Sequence, residues 1–309
     1  MPQLSGARCR SRPPPLRNLE RIGIAGPGLV GGSAALRARE LGHRVIGWDV
    51  DEANLRAALE RGALSARAES LRELAEASDV LVLAAPLDAT LASLAQLATF
   101  DRLPALVLDV ASVKGPVARA GRGLAGFVPT HPIAGASRSG VAAARADLFA
   151  GRIWAYDASA EAGLAARLEA FIASMKALPL AVDVDEHDRI VALTSHLPQL
   201  VSVALGRHLE PRLQQGAVSA LCGTGISSML RLGASAWTMW RPILAANARP
   251  VAQEVRELAA VLLRFAEALE AGAPDRLESD FQAAAAAAAR LEANGAARAA
   301  VHSASNDER

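Results

Sequence analysis

The segment THPIAGASRSG, residues 130–140, places a histidine directly before a proline and then small residues and an arginine. His131 follows one short apolar run, and Ser112 follows another in DVASVKG, residues 109–115. Neighbouring parallel strands lie about 5 Å apart, so their ends bring such residues to one rim of a sheet. An imidazole with a pKa of about 6.5 accepts a proton at neutral pH. The pair predicts a catalytic site; the alternatives are a core histidine and a helix-capping serine.

A glycine-rich loop stands at the start of the first apolar run, in GIAGPGLVGGSAAL. Gly26, Gly28 and Gly31 have GxGxxG spacing, with Leu29 and Val30 between the last two. The first two glycines allow a sharp turn and the approach of a pyrophosphate, and the third allows close helix packing. A strand before the loop and a helix after it therefore predict a dinucleotide site, and glycines of an ordinary tight turn are the alternative.

An acidic residue ends the second apolar run, RVIGWD, residues 44–49. A carboxylate at this strand end accepts hydrogen bonds from ribose hydroxyls and repels a 2′-phosphate, so Asp49 favours NAD over NADP. The alternative role, capping the next helix, suits Asp51 better. Pro86, at the end of DVLVLAAP, is expected on the same rim as the glycine loop.

The alternation of strand-like and helix-like sequence patterns predicts an α/β protein. Short runs that are apolar on both faces alternate with helical patterns up to about residue 185, which is typical of a doubly wound, mostly parallel Rossmann-type sheet. Helical patterns alone follow, so an all-α domain is expected after the sheet domain. We predict a flexible tail over 1–19, a dinucleotide-binding domain over 20–185, a helical substrate and dimerisation domain over 186–295, and a flexible tail over 296–309.

Composition narrows the function classes. The chain of 309 residues is 51% hydrophobic and has a formal net charge of +1, which argues against nucleic acid or an anionic membrane surface as a partner. Its two cysteines form no CxxC pair, which argues against a disulfide framework or a metal site and favours a reducing cytoplasm. The N-terminal segment is rich in arginine and proline and has no apolar run of signal-peptide length, and we predict no membrane span.

Several motifs together resemble one enzyme family. GPGLVGGS, DVASVKG, THPIAGASRSG, DLFAGR, DEHDRIVALTSHLPQ and GTGISSMLRLGAS occur in the order and spacing seen in prephenate and arogenate dehydrogenases of tyrosine biosynthesis. The resemblance runs from about residue 20 to residue 247. It implies NAD-dependent oxidative decarboxylation of prephenate to 4-hydroxyphenylpyruvate, with hydride transferred from ring carbon C4. Separately, Trp237, Trp240 and the long apolar stripes of the helical half predict a homodimer joined through the helical domain.

The resemblance also implies roles for single residues. His131 matches the histidine that accepts the hydrogen bond and proton of the C4 hydroxyl, and Ser112 matches a serine beside that hydroxyl and the nicotinamide. Arg231 matches the arginine that binds the ring carboxylate, and His196 matches a residue lining the substrate cavity. On this basis substrate is expected between the sheet domain and the helical domain. Further candidates for substrate binding are Ser137, Arg138 and Lys114, with helix capping as the alternative for the two charged residues.

Departures from the family pattern leave alternatives open. Gln199 stands where many relatives have a second histidine, and no carboxylate follows HPIAG closely, so we favour prephenate over arogenate, whose ammonium group needs an anion. Dual specificity is the alternative. A β-hydroxyacid dehydrogenase and a non-catalytic NAD-sensing protein are weaker ones. The chain lacks patterns for a chorismate mutase helix or a tyrosine-sensing module, so a dehydrogenase alone is expected.

Overall fold

The computed structural model describes residues 21–135 and 139–307, with side chains up to residue 295. It divides into two compact units between Asp183 and Val184.

The first unit is built on a six-stranded sheet in which every strand runs parallel to its neighbours. The strand order is β3-β2-β1-β4-β5-β6, so the order reverses between β1 and β4. The central strands are buried on both faces because helices cover them, which explains their continuous apolar sequences. The strands are β1 (Arg21–Ala25), β2 (Arg44–Trp48), β3 (Ala66–Arg67), β4 (Val80–Leu83), β5 (Leu106–Asp109) and β6 (Phe127–Val128).

Helices connect these strands and complete the Rossmann-type arrangement. Three of them begin with capping side chains: the Asp51 carboxylate accepts from the backbone N–H groups of Ala53 and Asn54, and Ser70 accepts from that of Glu73. The Glu161 carboxylate accepts from those of Gly163 and Leu164. The helices are α1 (Leu29–Glu40), α2 (Glu52–Glu60), α3 (Leu71–Glu76), α4 (Leu87–Leu97), α5 (Gly115–Ala120) and α6 (Ala162–Ser174). The predicted fold class is confirmed.

Three strands form a second sheet: β7 (Thr130–Pro132), β8 (Ile153–Asp157) and β9 (Leu178–Val182). β7 runs antiparallel to β8, and β8 runs parallel to β9. The short apolar run GFVPT, residues 126–130, predicts a single strand. Pro129 separates β6 from β7 instead, because proline has no N–H to donate to a ladder.

The second unit is helical among its described residues. The sequence predicts one helix over residues 186–210, but a π-helical turn, Ala192–His196, interrupts it and ends where the Leu197 N–H donates to the Ala192 carbonyl oxygen. Pro198 follows and cannot donate to the preceding turn. The helices are α7 (Val184–Val191), α8 (Leu197–Leu209), α9 (Gly216–Ala220), α10 (Thr224–Leu230), α11 (Trp237–Ala246), α12 (Ala248–Glu270) and α13 (Glu278–Asp307).

Helix α13 extends into the predicted C-terminal tail and continues to Asp307. Its alanine-rich sequence explains this length, since alanine has the highest helix propensity. Several large apolar side chains of the second unit are exposed, among them Leu221 at 86%, Trp237 at 65% and Phe281 at 70%. None of the helices within the described ranges combines the length and apolar character that crossing a membrane requires.

Candidate nucleotide-binding loop and active site

Two of the three loop glycines are required by the packing of the protein itself. Gly26 has φ +87°, and a Cβ there would lie 2.9 Å from the backbone of Ala84 at the end of β4. A Cβ on Gly31 would lie 2.3 Å from the carbonyl oxygen of Gly26. Both positions therefore exclude a side chain for internal reasons.

Gly28 is different, because a Cβ built there meets no atom of the described protein within 4 Å. Its φ of −75° lies outside the left-handed region that favours glycine. It precedes α1, whose first turn carries no acidic residue and whose N-terminus receives no side-chain capping bond. Leu29 and Val30 thus present backbone N–H groups beside open space, and a helix N-terminus of this kind attracts a phosphate group. The residues fit the pyrophosphate of a dinucleotide.

Asp49 follows β2 directly, and its carboxylate is held in place from two sides. One oxygen accepts the backbone N–H of Asp51 at 2.9 Å, and the other accepts the side-chain amide of Asn54 at 2.5 Å. Asp51, and not Asp49, caps α2. The Asp49 carboxylate is therefore held in one orientation and does not cap a helix. Asn54, which sequence reasoning missed, is one of the two residues that hold it.

Pro86 and Ser112 follow the carboxyl ends of β4 and β5, whereas His131 lies within β7 of the second sheet. Pro86 is exposed and precedes α4, Ser112 lies half-buried in the bend after β5, and His131 lies half-buried in β7, opposite Ala155 of β8. The Thr130 N–H donates to the Asp109 carboxylate at 2.8 Å, so the chain entering His131 is fastened to the end of the strand that leads to Ser112.

Lys114 is enclosed by protein. Its side chain is 4% exposed, forms an ion pair with Asp109, and donates to the Thr130 carbonyl oxygen at 2.6 Å. This burial argues against the direct substrate contact suggested from the sequence, because the ammonium group is committed to protein oxygens. Two other candidates, Ser137 and Arg138, lie outside the described residues.

In the second unit, His196 is 1% exposed and its ring is neutral. Burial lowers the pKa of His196 to about 4. The Asn247 amide donates to the Asp188 carbonyl oxygen at 2.7 Å and lies 3.2 Å from His196 Nδ1, which assigns Nδ1 as the acceptor and places the proton on Nε2.

Two buried donors next to each other have no acceptor within the part of the chain that the structure describes: His196 Nε2 and Trp240 Nε1. The two rings are 5.7 Å apart and perpendicular. An orphaned buried N–H is costly, so this pair marks a place for a hydrogen-bond acceptor from outside the protein. Sequence reasoning predicted His196 and missed Trp240 and Asn247.

Arg231 is exposed and follows α10. Its guanidinium forms no ion pair with any residue in the described ranges. The turn that comes next is fastened to α8 by two buried side chains: the Gln199 amide donates to the Leu232 carbonyl oxygen at 2.9 Å, and the Ser202 hydroxyl accepts the Gly233 N–H at 2.8 Å. These two polar residues, three apart on one helix face, position the segment that carries Arg231.

Two family models match the chain. One, described as the nucleotide-binding domain of prephenate dehydrogenase, matches residues 33–176, and the other, described as its dimerization domain, matches residues 183–283. The first match begins after Gly31, so the glycine loop is assigned by its own geometry.

Curated relatives and a solved structure agree with these models. The chain is 30% identical over 243 residues to prephenate dehydrogenase of Bacillus subtilis, which is 74% of this chain and 64% of that protein. It is 32% identical over 255 residues to a probable prephenate dehydrogenase of Streptomyces niveus, which is 80% of this chain and 68% of that protein. The chain thus spans about two thirds of the length of these relatives.

The crystal structure of Aquifex aeolicus prephenate dehydrogenase with hydroxyphenyl propionate and NAD+ superimposes with a TM-score of 0.80 at 22% identity. The similarity covers 89% of this chain and 99% of that one, and it shows the shared fold. With both family models matched in order, the family prediction is confirmed: the chain belongs to the prephenate dehydrogenase family.

Proposed function

We propose that the chain binds NAD and converts prephenate to 4-hydroxyphenylpyruvate, with CO2 and NADH as the other products. The observation that carries this proposal is the fastening of Thr130 to Asp109, because it ties the segment of His131 to the strand end that leads to Ser112. Family membership supports the same reaction, and the solved Aquifex aeolicus relative was crystallised with NAD+ and a hydroxyphenyl ligand.

The glycine loop and Asp49 are proposed to hold the cofactor. The open space at Gly28 and the N-terminus of α1 suit a pyrophosphate, and the oriented Asp49 carboxylate suits the two adenosine ribose hydroxyls of NAD. Leu29, Val30 and Pro86 are proposed to line the same cofactor site. When bound, NAD accepts the hydride that leaves ring carbon C4.

His131 is proposed as the general base. Its neutral ring accepts the proton of the C4 hydroxyl as the hydride departs, and Ser112 hydrogen-bonds the same oxygen. Loss of the ring carboxylate as CO2 then aromatises the ring, and the phenolate oxygen takes the proton back. Such base assistance typically contributes about 10²–10⁴ in rate.

The second unit is proposed to supply the ligands of the substrate's two carboxylates. Arg231 is proposed for the ring carboxylate, since a guanidinium binds a carboxylate through two parallel hydrogen bonds. The buried N–H groups of His196 and Trp240 are proposed to donate to the pyruvyl side chain, whose keto and carboxylate oxygens only accept hydrogen bonds. Ser137 and Arg138 remain proposed substrate contacts.

The exposed apolar side chains of the second unit support a homodimer formed through that unit, in accord with the matched dimerization domain. Light scattering at micromolar concentration is expected to give twice the 32.1 kDa of one chain. A single-chain mass would contradict the dimer.

The reaction is tested by following NADH absorbance with prephenate, arogenate and a panel of β-hydroxyacids, each with NAD+ and with NADP+. We expect turnover with prephenate and NAD+. Comparable turnover with arogenate would indicate dual specificity, and turnover with hydroxyacids alone would overturn the assignment. Tight NAD+ binding without turnover of any substrate would indicate a sensing protein.

A further inference from the structure

A charged pair lies buried beneath the proposed catalytic rim. Asp109 is 0% exposed and Lys114 is 3% exposed, and the two side chains form an ion pair. Removing two charges from water is costly, and the attraction within a buried pair often does no more than offset that cost. Fold stability alone therefore explains such a pair poorly, and its hydrogen bonds indicate what else it does.

The Asp109 carboxylate joins the two segments that carry the proposed catalytic residues. One oxygen accepts the Ala111 N–H at 2.8 Å, in the bend that ends at Ser112, and the other accepts the Thr130 N–H at 2.8 Å, directly before His131. A single planar group thus sets the distance between the two backbones.

Lys114 and Thr130 add further hydrogen bonds between the same two segments. The Lys114 ammonium group donates both to Asp109 and to the Thr130 carbonyl oxygen, and the Thr130 hydroxyl donates to the Asp109 carbonyl oxygen. Trp154 Nε1 donates to that hydroxyl at 2.8 Å from β8. We call Asp109, Lys114, Thr130 and Trp154 the strand clip, because these residues connect the end of β5 in the first sheet to β7 and β8 in the second.

We propose that Asp109 and Lys114 are positioning residues that hold Ser112 and His131 at their working separation across the two sheets. The proposal rests on the proposed function and deepens it. The clip is needed because β6 pairs with β5 and β7 pairs with β8, so among the described strands no backbone ladder joins the two sheets and side chains make the connection.

This role differs measurably from a substrate contact by Lys114. A positioning defect lowers kcat and leaves the KM for prephenate nearly unchanged, because the carboxylate ligands are intact. Loss of a carboxylate ligand raises KM. Misplacement of reacting groups by 1 Å costs roughly a hundredfold in rate, so a partial loosening is expected to cost roughly thirtyfold or more.

The test compares the double variant Asp109→Asn/Lys114→Met with the unaltered chain. The double variant leaves no buried charge without its partner, so it is expected to fold, whereas Lys114→Met alone leaves Asp109 buried and uncompensated. We expect kcat to fall roughly thirtyfold or more and the KM for prephenate to change less than about threefold. Hydrogen exchange in the peptide covering residues 127–135 should become at least about tenfold faster.

Leu94→Ala is the matched control, since it is expected to open a cavity at a fully buried position of α4, a helix that contributes no residue to the clip, and to lower the melting temperature. Its kcat, measured below its melting temperature, should stay within about twofold of the unaltered chain. An unchanged exchange rate in the double variant, an unchanged kcat, or a KM raised more than about tenfold would each overturn the proposal. If the unaltered chain does not turn over prephenate, the proposed function fails, while the exchange measurement still decides whether the clip holds the two segments.

Discussion

Asn247 Nδ2 lies 3.2 Å from His196 Nδ1, and this contact places the proton of the neutral ring on the opposite nitrogen. The folded-state pKa of about 4 lies below the ordinary value of 6.5, because burial disfavours the charged ring. Between these values the unfolded chain binds a proton that the folded chain does not, so the stability contributed by this site is present above pH 6.5 and is lost as the pH falls towards 4.

We therefore expect the free energy of unfolding to decrease by on the order of 3 kcal/mol from this residue between pH 6.5 and 4. Urea unfolding at fixed protein concentration measures it. His196→Asn removes the titration, so the pH slope of the variant should be shallower than that of the unaltered chain. Parallel slopes in the two proteins would contradict the depressed pKa.

Replacing His131 by asparagine should leave NAD+ affinity nearly intact and reduce turnover at least roughly a hundredfold, because asparagine keeps a polar side chain but cannot accept the proton. Calorimetric titration with NAD+ and steady-state kinetics with prephenate separate the two effects. A loss of turnover below threefold would remove His131 from the mechanism.

The glycine loop offers a matched pair of substitutions. Gly28→Ala meets open space and should leave the melting temperature nearly unchanged, but its methyl group occupies the proposed approach of the pyrophosphate and should weaken NAD+ binding roughly tenfold or more. Gly31→Ala places a methyl group 2.3 Å from the Gly26 carbonyl oxygen and should destabilise the protein even without cofactor. Equal effects of both substitutions on stability would contradict the assignment.

Asn54→Ala should relax the preference for NAD over NADP. Without the amide, the Asp49 carboxylate loses one of the two hydrogen bonds that hold it in place for the proposed ribose contact. If the lost hydrogen bond is worth about 1 kcal/mol, kcat/KM with NAD+ divided by kcat/KM with NADP+ should fall roughly fivefold. Arg56→Ala, on an exposed position of the same helix, is the control and should leave the ratio unchanged.

Gln199→Leu should raise the KM for prephenate, because the turn after Arg231 loses its hydrogen bond to α8. We expect the KM for prephenate to rise roughly fivefold to tenfold, because one lost hydrogen bond costs about 1 kcal/mol. The same substitution on an Arg231→Ala background should add little, since the residue that it positions is already absent. Additive effects would indicate that Gln199 acts independently of Arg231. Gln253→Ala, at an exposed position of α12, is the control and should leave the KM unchanged.

The alternation of buried strands and helices was predictable because it follows from periodicity, and the family followed from ordered local motifs. The break at Pro129 was harder to foresee, since proline also occurs at strand edges. The burial of Lys114 was missed because its partners are Asp109 and Thr130, and a tertiary ion pair leaves no periodic pattern in sequence. The same reason hid Asn247 and Trp240, whose contacts with His196 form only when distant helices are brought together. Asn54 lies five residues from Asp49, and its local contact follows neither a helical nor a strand period.

The π-helical turn, Ala192–His196, makes this part of the chain sensitive to the deletion of a single residue. Each residue of a helix turns the chain by about 100°, so a wider turn that accommodates one more residue changes the direction of every side chain after it. Deleting one residue between Asp188 and His196 would restore a regular helix and rotate the imidazole away from Asn247 and Trp240. Single-residue deletions in this stretch should therefore abolish the donor pair while the helices around it survive.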